Sequence, residues 1–214
     1  MKNLLVITGA SCSGKTTVEL KIREELGVRH LRTTTTRLPR TTDAKGYYQH
    51  VSKSTFQKHL KSGDFAEYNC YGSSMYGVLK SSLDDIISSN ERNWSVVLDV
   101  NGANAISMYC KLHNLPIKLC CIVLGVPTQI LMRRLFSRVL SEYKSDMLTQ
   151  REAVDTLNFR NSEIVGFDHF QCYETLNKRN EDGIIKYAQI SLLDNASAES
   201  IDNIIYIATK FFEE

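Results

Sequence analysis

The eight residues 9–16, GASCSGKT, constrain the fold of this chain more than any other stretch of its sequence. An apolar run of strand length, residues 3–8, precedes them, and residues 15–26 have the pattern of a helix. A strand, a glycine-containing loop and a helix in this order open a βαβ unit. The loop also matches G-x-x-x-x-G-K-[ST], a pattern that binds nucleotide phosphates. The sequence therefore predicts an α/β fold in which a parallel sheet carries a phosphate-binding loop.

The chemistry of phosphate binding explains each fixed position of this loop. Its glycines let the backbone curl so that N–H groups point at phosphate oxygens, and the helix adds the positive end of its dipole. Lys15 can reach the β- and γ-phosphates, and the Thr16 hydroxyl can ligate Mg²⁺. The pattern does not require the thiol of Cys12, and we assign it no role. The predicted ATP-binding residues are Gly9, Ala10, Ser11, Cys12, Ser13, Gly14, Lys15 and Thr16.

A lone acid lies in a second apolar run, VVLDV at residues 96–100. Asp99 in this run is the candidate to hold Mg²⁺, through water, as the acid of a Walker B strand does. The alternative is that its carboxylate caps the helix that follows the strand.

Further apolar runs and helical stretches alternate along the chain. Runs at residues 117–124 and 187–193 predict two more buried strands, and helices are predicted at residues 128–138 and 197–212. Continuous apolar runs suit parallel strands that are covered on both faces. The alternation therefore predicts a P-loop NTPase-type parallel sheet with helices on both faces.

Two regions interrupt this alternation. Residues 33–80 are rich in tyrosine, glycine and short polar turns, and they predict an inserted lobe of short mixed strands with a small helix near residues 55–62. Residues 139–185 are polar and mostly helical, and they predict a lid with an extended helical region. The predicted P-loop core comprises the remaining residues, 1–32, 81–138 and 186–214.

The composition excludes several classes of protein. The 214 residues suit one domain, or one core with an inserted subdomain, and the 43% of hydrophobic residues can form a real core. A net charge of +2 gives no reason to expect a nucleic-acid partner. The apolar run at the N-terminus is too short for a signal peptide or a membrane span. The six cysteines show no metal-ligand spacing, so we expect reduced thiols and a cytoplasmic protein.

Two arginines, Arg37 and Arg40, lie in the stretch TTTTRLPR with no acid close enough in the sequence to pair with them. Alone, the stretch would be interpreted as a solvated basic loop. However, TTRLPRTTDAKGYY at residues 35–48, with FAEYNCYGSSMYG at residues 65–77, resembles the guanylate kinase family. In that family a glycine loop binds Mg-ATP and an inserted lobe holds GMP for attack on the γ-phosphate.

The resemblance implies a role for several side chains of the lobe. Arg37 and Arg40 would grip the GMP phosphate, and Glu67 would accept hydrogen bonds from N1–H and the 2-amino group of guanine. Tyr48, which matches the family if one residue is deleted after Gly46, and Tyr76 would donate to the same phosphate. The implied GMP-binding residues are Thr33, Arg37, Arg40, Asp43, Tyr48, Glu67, Tyr76 and Asn101.

The resemblance also implies which residues stabilise the phosphoryl group in transfer. LMRRLFSR at residues 131–138 matches the lid motif L-x-x-R-L-x-x-R, although these arginines could instead lie on the wet face of an amphipathic helix. Arg151 and Arg160 compete for the place of a later lid arginine. The implied catalytic residues are Lys15, Arg40, Arg134 and Arg138.

The chain departs from the family pattern at several positions. Val78 replaces a serine or threonine after Tyr76 and Gly77, and Thr33 replaces a serine. Asn101, in DVNGANA, replaces either an acid or a glutamine of the family motif. Val139 replaces the glycine after the lid motif, and extra residues precede the last strand. These departures bear on base selectivity and rate more than on phosphate binding.

The sequence thus predicts a Mg²⁺-dependent kinase that transfers the γ-phosphate of ATP to GMP or dGMP, as a monomer or homodimer, with no nucleic-acid or membrane partner. One alternative is a related kinase that acts on another nucleoside monophosphate or on a phosphorylated sugar. A phosphorylated sugar would not need Glu67 or the paired tyrosines, which weighs against that acceptor. The other is a catalytically inactive guanylate-kinase-like interaction module. Lys15, Thr16 and Asp99 weigh against that module, because such modules commonly lack a working phosphate loop.

Overall fold

A computed structural model describes residues 1–40, 43, 45–145, 148–168, 185–191 and 198–213. The strands in this part of the chain are β1 (Lys2–Gly9), β2 (Arg29–His30), β3 (Thr33–Thr35), β4 (Tyr48–His50), β5 (Phe65–Tyr71), β6 (Ser74–Leu79), β7 (Asn93–Val97), β8 (Ile117–Gly125) and β9 (Ile185–Ser191). The helices are α1 (Lys15–Leu26), α2 (Lys53–Lys61), α3 (Lys80–Ser88), α4 (Val100–Leu112), α5 (Thr128–Lys144), α6 (Gln150–Gly166) and, as the last in this part, α7 (Ala198–Glu213).

The main sheet has five strands in the order β2-β7-β1-β8-β9, and every pairing in it is parallel. Residues of β1 alternate between its two faces, so that Leu5 and Ile7 join one core cluster while Leu4 and Val6 join the other. Helices α1, α5, α6 and α7 cover the first face, and α3 and α4 cover the second. The predicted α/β architecture, with a parallel sheet between two helical layers, is confirmed.

A second sheet of four strands, in the order β4-β3-β6-β5, lies within the inserted lobe. Strands β3 and β4 pair in parallel, whereas β6 is antiparallel to both β3 and β5. Helix α2 packs on this sheet through Phe56, whose ring stacks on that of Phe65 at 4.4 Å. The Ser52 hydroxyl caps the helix by accepting a hydrogen bond from the Thr55 N–H.

Two long helices, α5 and α6, follow strand β8 of the main sheet. Helix α5 continues through residue 138, where the predicted helix ended, because Val139 packs into the first core cluster and extends the apolar face of the helix. Helix α6 begins with a capping box between Thr149 and Glu152. The extra residues that we predicted before the last strand lie mainly outside the described residues. None of the helices in the described part is long and apolar enough to cross a membrane.

Candidate functional site

A cavity of about 1350 Å³ opens at the carboxyl ends of β1 and β7, where loops of an open parallel sheet usually form its ligand site. The phosphate-binding loop, the lobe sheet, α5 and α6 all contribute to its walls. The cavity walls include every predicted site residue except Asn101. The sequence-predicted residues that line it are Gly9–Thr16, Thr33, Arg37, Arg40, Asp43, Tyr48, Glu67, Tyr76, Asp99, Arg134 and Arg138.

Backbone geometry shapes the phosphate-binding loop. Gly9 has a φ angle of 150°, and a Cβ atom added there would lie 2.9 Å from the Leu124 carbonyl oxygen, so only glycine fits. Cys12 adopts a left-handed conformation with φ of 65° although it carries a side chain. The loop then enters α1, so its N–H groups and the positive end of the helix face the cavity.

Lys15 lies inside this loop and bridges its two ends. Its ammonium group donates to the carbonyl oxygens of Gly9 at 2.9 Å and Ala10 at 2.7 Å. Burial, and then the positive charge of Arg160, lower the pKa of Lys15 to about 8. A partly desolvated cation that only neutral carbonyls hold is well placed to bind an incoming polyphosphate.

The arginine pair of the lobe is not free of acids, and the sequence-based expectation on this point is wrong. Arg37 Nη2 donates to both carboxylate oxygens of Asp43, at 2.8 and 2.9 Å. The backbone N–H of Arg40 donates to the same carboxylate at 2.8 Å. Asp43 lies six residues beyond Arg37 in the sequence, yet the two side chains pair directly in the structure. Asp43 therefore holds the arginine loop in shape from within, which is a positioning role.

Arg40 connects the lobe to helix α5 through an acid. Its Nε lies 3.3 Å from Glu142 Oε1, and Arg138 Nε lies 3.3 Å from the same oxygen. Burial, and then the charges of Arg138 and Arg37, lower the pKa of Arg40. Two guanidinium groups thus meet at a single carboxylate, and Arg37 lies near enough for its charge to act on Arg40 as well. On α5, Arg134 also reaches the loop, with Nη1 at 3.4 Å from the Cys12 carbonyl oxygen.

Aromatic rings extend from this arginine cluster along the lobe. The Arg37 guanidinium lies over the Tyr48 ring, 5.1 Å from its centre, and the Tyr48 and Tyr76 rings are 6.3 Å apart. Tyr71 in turn lies 5.7 Å from Tyr76, and Arg160 of α6 lies 5.8 Å from the Tyr71 ring centre. The rings therefore form a continuous wall between the arginines of the lobe and α6.

Glu67 lies on β5 at the inner end of the cavity and is only 7% exposed. Burial, and then the negative charge of Asp99, raise its pKa to about 8. A Cβ atom on Gly102 would lie 3.2 Å from Glu67 Oε2, so this glycine gives the carboxyl group its room beside α4. Thr33, 5% exposed, lines the same end. A buried acceptor at the end of a polar cavity can read a ligand's paired N–H donors.

Asp99 has the geometry of the alternative we considered, a helix cap. Its Oδ1 accepts the Gly102 N–H at 2.7 Å at the start of α4. Its Oδ2 accepts Asn69 Nδ2 at 2.7 Å and the Tyr71 hydroxyl. The carboxylate is thus oriented by three donors and still lines the cavity, so the cap does not exclude a second role.

Sequence reasoning missed Asn69 and Tyr71. Both line the cavity, and they follow Glu67 at positions two and four residues further along β5. Side chains with this spacing share one face of a strand. The strand period, applied to the stretch around Glu67, could have identified them.

Two other sequence-based candidates lie away from the cavity. Asn101, predicted to bind GMP, is exposed in the first turn of α4 and does not line the cavity, because the turn that Asp99 caps leaves it facing solvent. Val78 is fully buried in the second core cluster, so its side chain contacts the core rather than a ligand. Of the competing lid arginines, Arg160 lines the cavity and pairs with Glu163 at 2.6 Å, whereas Arg151 is exposed.

The donors in the cavity suit a magnesium ion that a nucleotide brings with it. Mg²⁺ prefers oxygen ligands and is usually held by one or two protein groups together with substrate phosphates. The Thr16 hydroxyl and the Asp99 carboxylate are such oxygens, and both line the cavity. Within the described ranges there is no group of three or more His, Cys, Asp or Glu side chains that could hold a metal.

Comparisons with known proteins agree with this geometry. Over residues 1–182 the chain matches the model of the family described as guanylate kinase. It is 34% identical over 131 residues to a guanylate kinase of Mycoplasmopsis synoviae, which covers 59% of this chain and 66% of that protein. It is 32% identical over 99 residues to one from Fusobacterium nucleatum, covering 46% and 52%.

The chain spans between about half and two thirds of the length of these curated relatives. A crystal structure of guanylate kinase from Anaplasma phagocytophilum has the same fold, with a TM-score of 0.58 at 19% identity, over 100% of this chain and 87% of that one. The match to the family model covers most of the chain. The chain therefore belongs to the guanylate kinase family.

Proposed function

We propose that this protein transfers the γ-phosphate of ATP to GMP or dGMP, giving ADP and GDP or dGDP. The observation that carries the proposal is the single cavity in which a lysine-bearing phosphate loop faces a three-arginine cluster and a buried glutamate. A phosphate loop alone would suit hydrolysis as well. The arginines of the lobe, Arg37 and Arg40, line the same cavity and would supply the place for a second phosphorylated substrate.

The acceptor phosphate would bind at the arginine cluster. Arg37 and Arg40 offer charge-assisted hydrogen bonds to a dianionic phosphate, and the hydroxyls of Tyr48 and Tyr76 add neutral donors. Glu142 contacts Arg40 and Arg138 where a phosphate oxygen would lie, so the incoming phosphate replaces its carboxylate as their partner. No side-chain nucleophile is needed, because a phosphate oxygen of GMP attacks the γ-phosphorus directly.

The γ-phosphoryl group carries negative charge on its equatorial oxygens during transfer, and fixed cations around it lower the barrier. Lys15 from the loop and Arg134 and Arg138 from α5 would surround it. Mg²⁺, held by Thr16 and through water by Asp99, would neutralise charge on the β- and γ-phosphates. Arg160, which approaches Tyr71 from α6, would help to exclude water and so limit hydrolysis of ATP.

Glu67 would select the base. As a carboxylate it accepts two hydrogen bonds, which match the N1–H and the 2-amino group of guanine. Adenine presents no such donor pair, so its binding would leave a buried charge without partners. Because Val78 lies in the core, Thr33 and Glu67 are the groups left to make this selection among the predicted residues.

The test is a coupled assay of ADP release with Mg-ATP and six conditions: GMP, dGMP, AMP, UMP, CMP and no acceptor. We expect turnover with GMP or dGMP, falling by about 10²-fold in Arg40→Ala, which removes a group that neutralises transition-state charge. A preference for another acceptor would mean that the pocket reads a different base. No turnover with any acceptor, in protein that binds ATP, would overturn the proposal and favour an interaction module.

A further inference from the structure

A buried polar cluster lies between α1, β2 and β7, among residues that do not line the cavity. Its members are Glu19 of α1, His30 of β2 and Ser95 of β7, and the Glu19 and His30 side chains are 0% and 5% exposed. His30 Nδ1 lies 2.8 Å from Glu19 Oε1, and the Ser95 hydroxyl donates to the same oxygen at 2.5 Å. Nothing in the reaction proposed above uses these groups.

The second nitrogen of His30 reaches out of the core and into the lobe. Nε2 lies 3.0 Å from the backbone carbonyl oxygen of Tyr47, and it must carry the hydrogen because a carbonyl only accepts. The His30 ring also stacks on the Tyr47 ring, with centres 3.9 Å apart and planes inclined by 22°. Tyr47 is 2% exposed, so these contacts are shielded from water.

The position of Tyr47 gives this contact its importance. Tyr48, the next residue, begins β4, which has three residues and is an edge strand of the lobe sheet. Among the strands that the structure describes, β4 pairs only with β3, so few backbone hydrogen bonds fix its place. His30 adds a hydrogen bond to Tyr47, the residue immediately before Tyr48. Through Glu19 it links Tyr47 to α1, the helix that starts at Lys15.

We propose that His30 is a positioning residue, which ties the strand bearing Tyr48 to the ATP-binding helix through Glu19 and so places the Tyr48 hydroxyl for the acceptor phosphate. This inference rests on the proposed function, because it assigns Tyr48 to the phosphate of GMP. Burying a carboxyl group and a histidine ring is costly unless both are hydrogen-bonded, and here the two bond to each other. His30 lies on β2 of the main sheet and bonds the residue that precedes β4 of the lobe sheet, so its contacts link the two sheets.

The test compares equilibrium affinities for GMP and ADP, measured by titration calorimetry, with steady-state kinetics. His30→Phe keeps a ring against Tyr47 and removes both hydrogen bonds. We expect its affinity for GMP to fall about three- to tenfold, the effect of one net hydrogen bond, with ADP affinity unchanged. His59→Phe is the matched control, because His59 makes a comparable 2.9 Å contact with Asp64 in the same lobe, away from the cavity.

Two further variants separate positioning from simple destabilisation. Glu19→Leu combined with His30→Phe removes both members of the pair, so that neither is left buried without the other, and the hydrogen bond to Tyr47 stays absent. We expect it to bind GMP as weakly as His30→Phe, and it replaces that variant if His30→Phe does not fold. In a Tyr48→Phe background, His30→Phe should have little additional effect on GMP affinity, because it acts through the missing hydroxyl.

Three results would overturn the inference: equal losses of GMP and ADP affinity, unchanged GMP affinity, or a full additional loss in the Tyr48→Phe background. Failure of the proposed function looks different. In that case the unaltered protein would neither bind GMP nor turn it over, whereas failure of the inference leaves both intact in the unaltered protein.

Discussion

The two sides of the cavity are built in opposite ways. On the proposed ATP side, the consecutive residues 9–16 line the cavity, and we expect their backbone N–H groups to make most of the contacts, so that most of their side chains are interchangeable in principle. On the proposed GMP side, side chains from several strands and loops would contact the ligand, and the residues between them would not. Arg37, Tyr48 and Glu67 come from different strands or loops of the lobe.

This difference predicts where substitutions matter. A backbone-built site tolerates side-chain changes that leave φ and ψ alone, whereas a side-chain-built site loses a contact with every truncation. Lys15 is the exception on the ATP side, because its ammonium group does what no backbone group can do.

Lys15→Met should therefore give the largest effect. We expect kcat to fall about a thousandfold, because the cation nearest the transferred charge is lost while the loop keeps its backbone donors. Lys21→Met is the matched control on the same helix, where Lys21 pairs with Glu25 at 2.9 Å on the surface. Single-turnover kinetics with GMP measure the loss. A fall of less than about tenfold would show that the backbone alone carries the ATP side.

Glu67→Gln should have the next largest effect, and it should act on selectivity. The amide would present one donor and one acceptor to a ligand that offers two donors. We expect kcat/KM for GMP to fall about 10²-fold and the preference for GMP over AMP to shrink with it. Glu91→Gln, an exposed acid beside Arg29, is the control. If GMP alone weakened while AMP stayed equally excluded, Glu67 would not be the group that rejects adenine.

The affinity for GMP should also depend on pH through Glu67. Its pKa in the empty site is about 8, raised by burial and then by Asp99, so near neutral pH the side chain is mostly protonated. GMP binding needs the carboxylate and therefore releases a proton. We expect affinity to rise with pH by at most about tenfold per unit below the pKa and to level off above it.

Titrations from about pH 7 upward test this dependence, because a phosphate monoester loses its second proton near pH 6 and would add its own slope below that. Glu67→Gln should remove the slope. A slope that survives in this variant would belong to another group.

How far the sequence predicted these two sides follows from the same difference. The loop could be read residue by residue, because its pattern is contiguous and each position has a chemical reason. The pairing of Arg37 with Asp43 was missed, because a separation of six residues outside a helix or strand does not predict whether two side chains meet. Asn101 was assigned to GMP from its place in a motif, but the helix cap at Asp99 turns it outward. Asn69 and Tyr71 belong to no motif, and they can be predicted as site residues only from their position on the same face of β5 as Glu67.

A substitution of Glu142, whose carboxylate contacts an arginine from each side of the cavity, should have a smaller effect on GMP affinity. Glu142 holds both Arg40 and Arg138, so GMP must displace it. Glu142→Gln weakens that competition, and we expect GMP affinity to rise by up to about fivefold, the range of a partly exposed ion pair. The gain should shrink at high salt, because screening weakens the original pair as well. A loss of affinity would instead mean that Glu142 positions the arginines rather than competing for them.

Two substitutions in the phosphate loop should distinguish the contribution of its backbone to nucleotide binding from that of its side chains. Cys12→Gly removes the thiol and keeps the carbonyl that Arg134 contacts, and glycine adopts φ of 65° without strain. We expect the affinity for ADP to stay within about twofold of that of the unaltered protein, because backbone N–H groups would make most of the contacts on this side of the cavity. Gly9→Ala is the matched opposite, since its Cβ would meet the Leu124 carbonyl at 2.9 Å and the loop would have to move. Calorimetric titration with ADP measures both. A loss of binding in Cys12→Gly as large as that in Gly9→Ala would mean that the Cys12 side chain, whose Sγ lies 3.9 Å from Arg138 Nη1, helps to hold the lid arginines over the nucleotide.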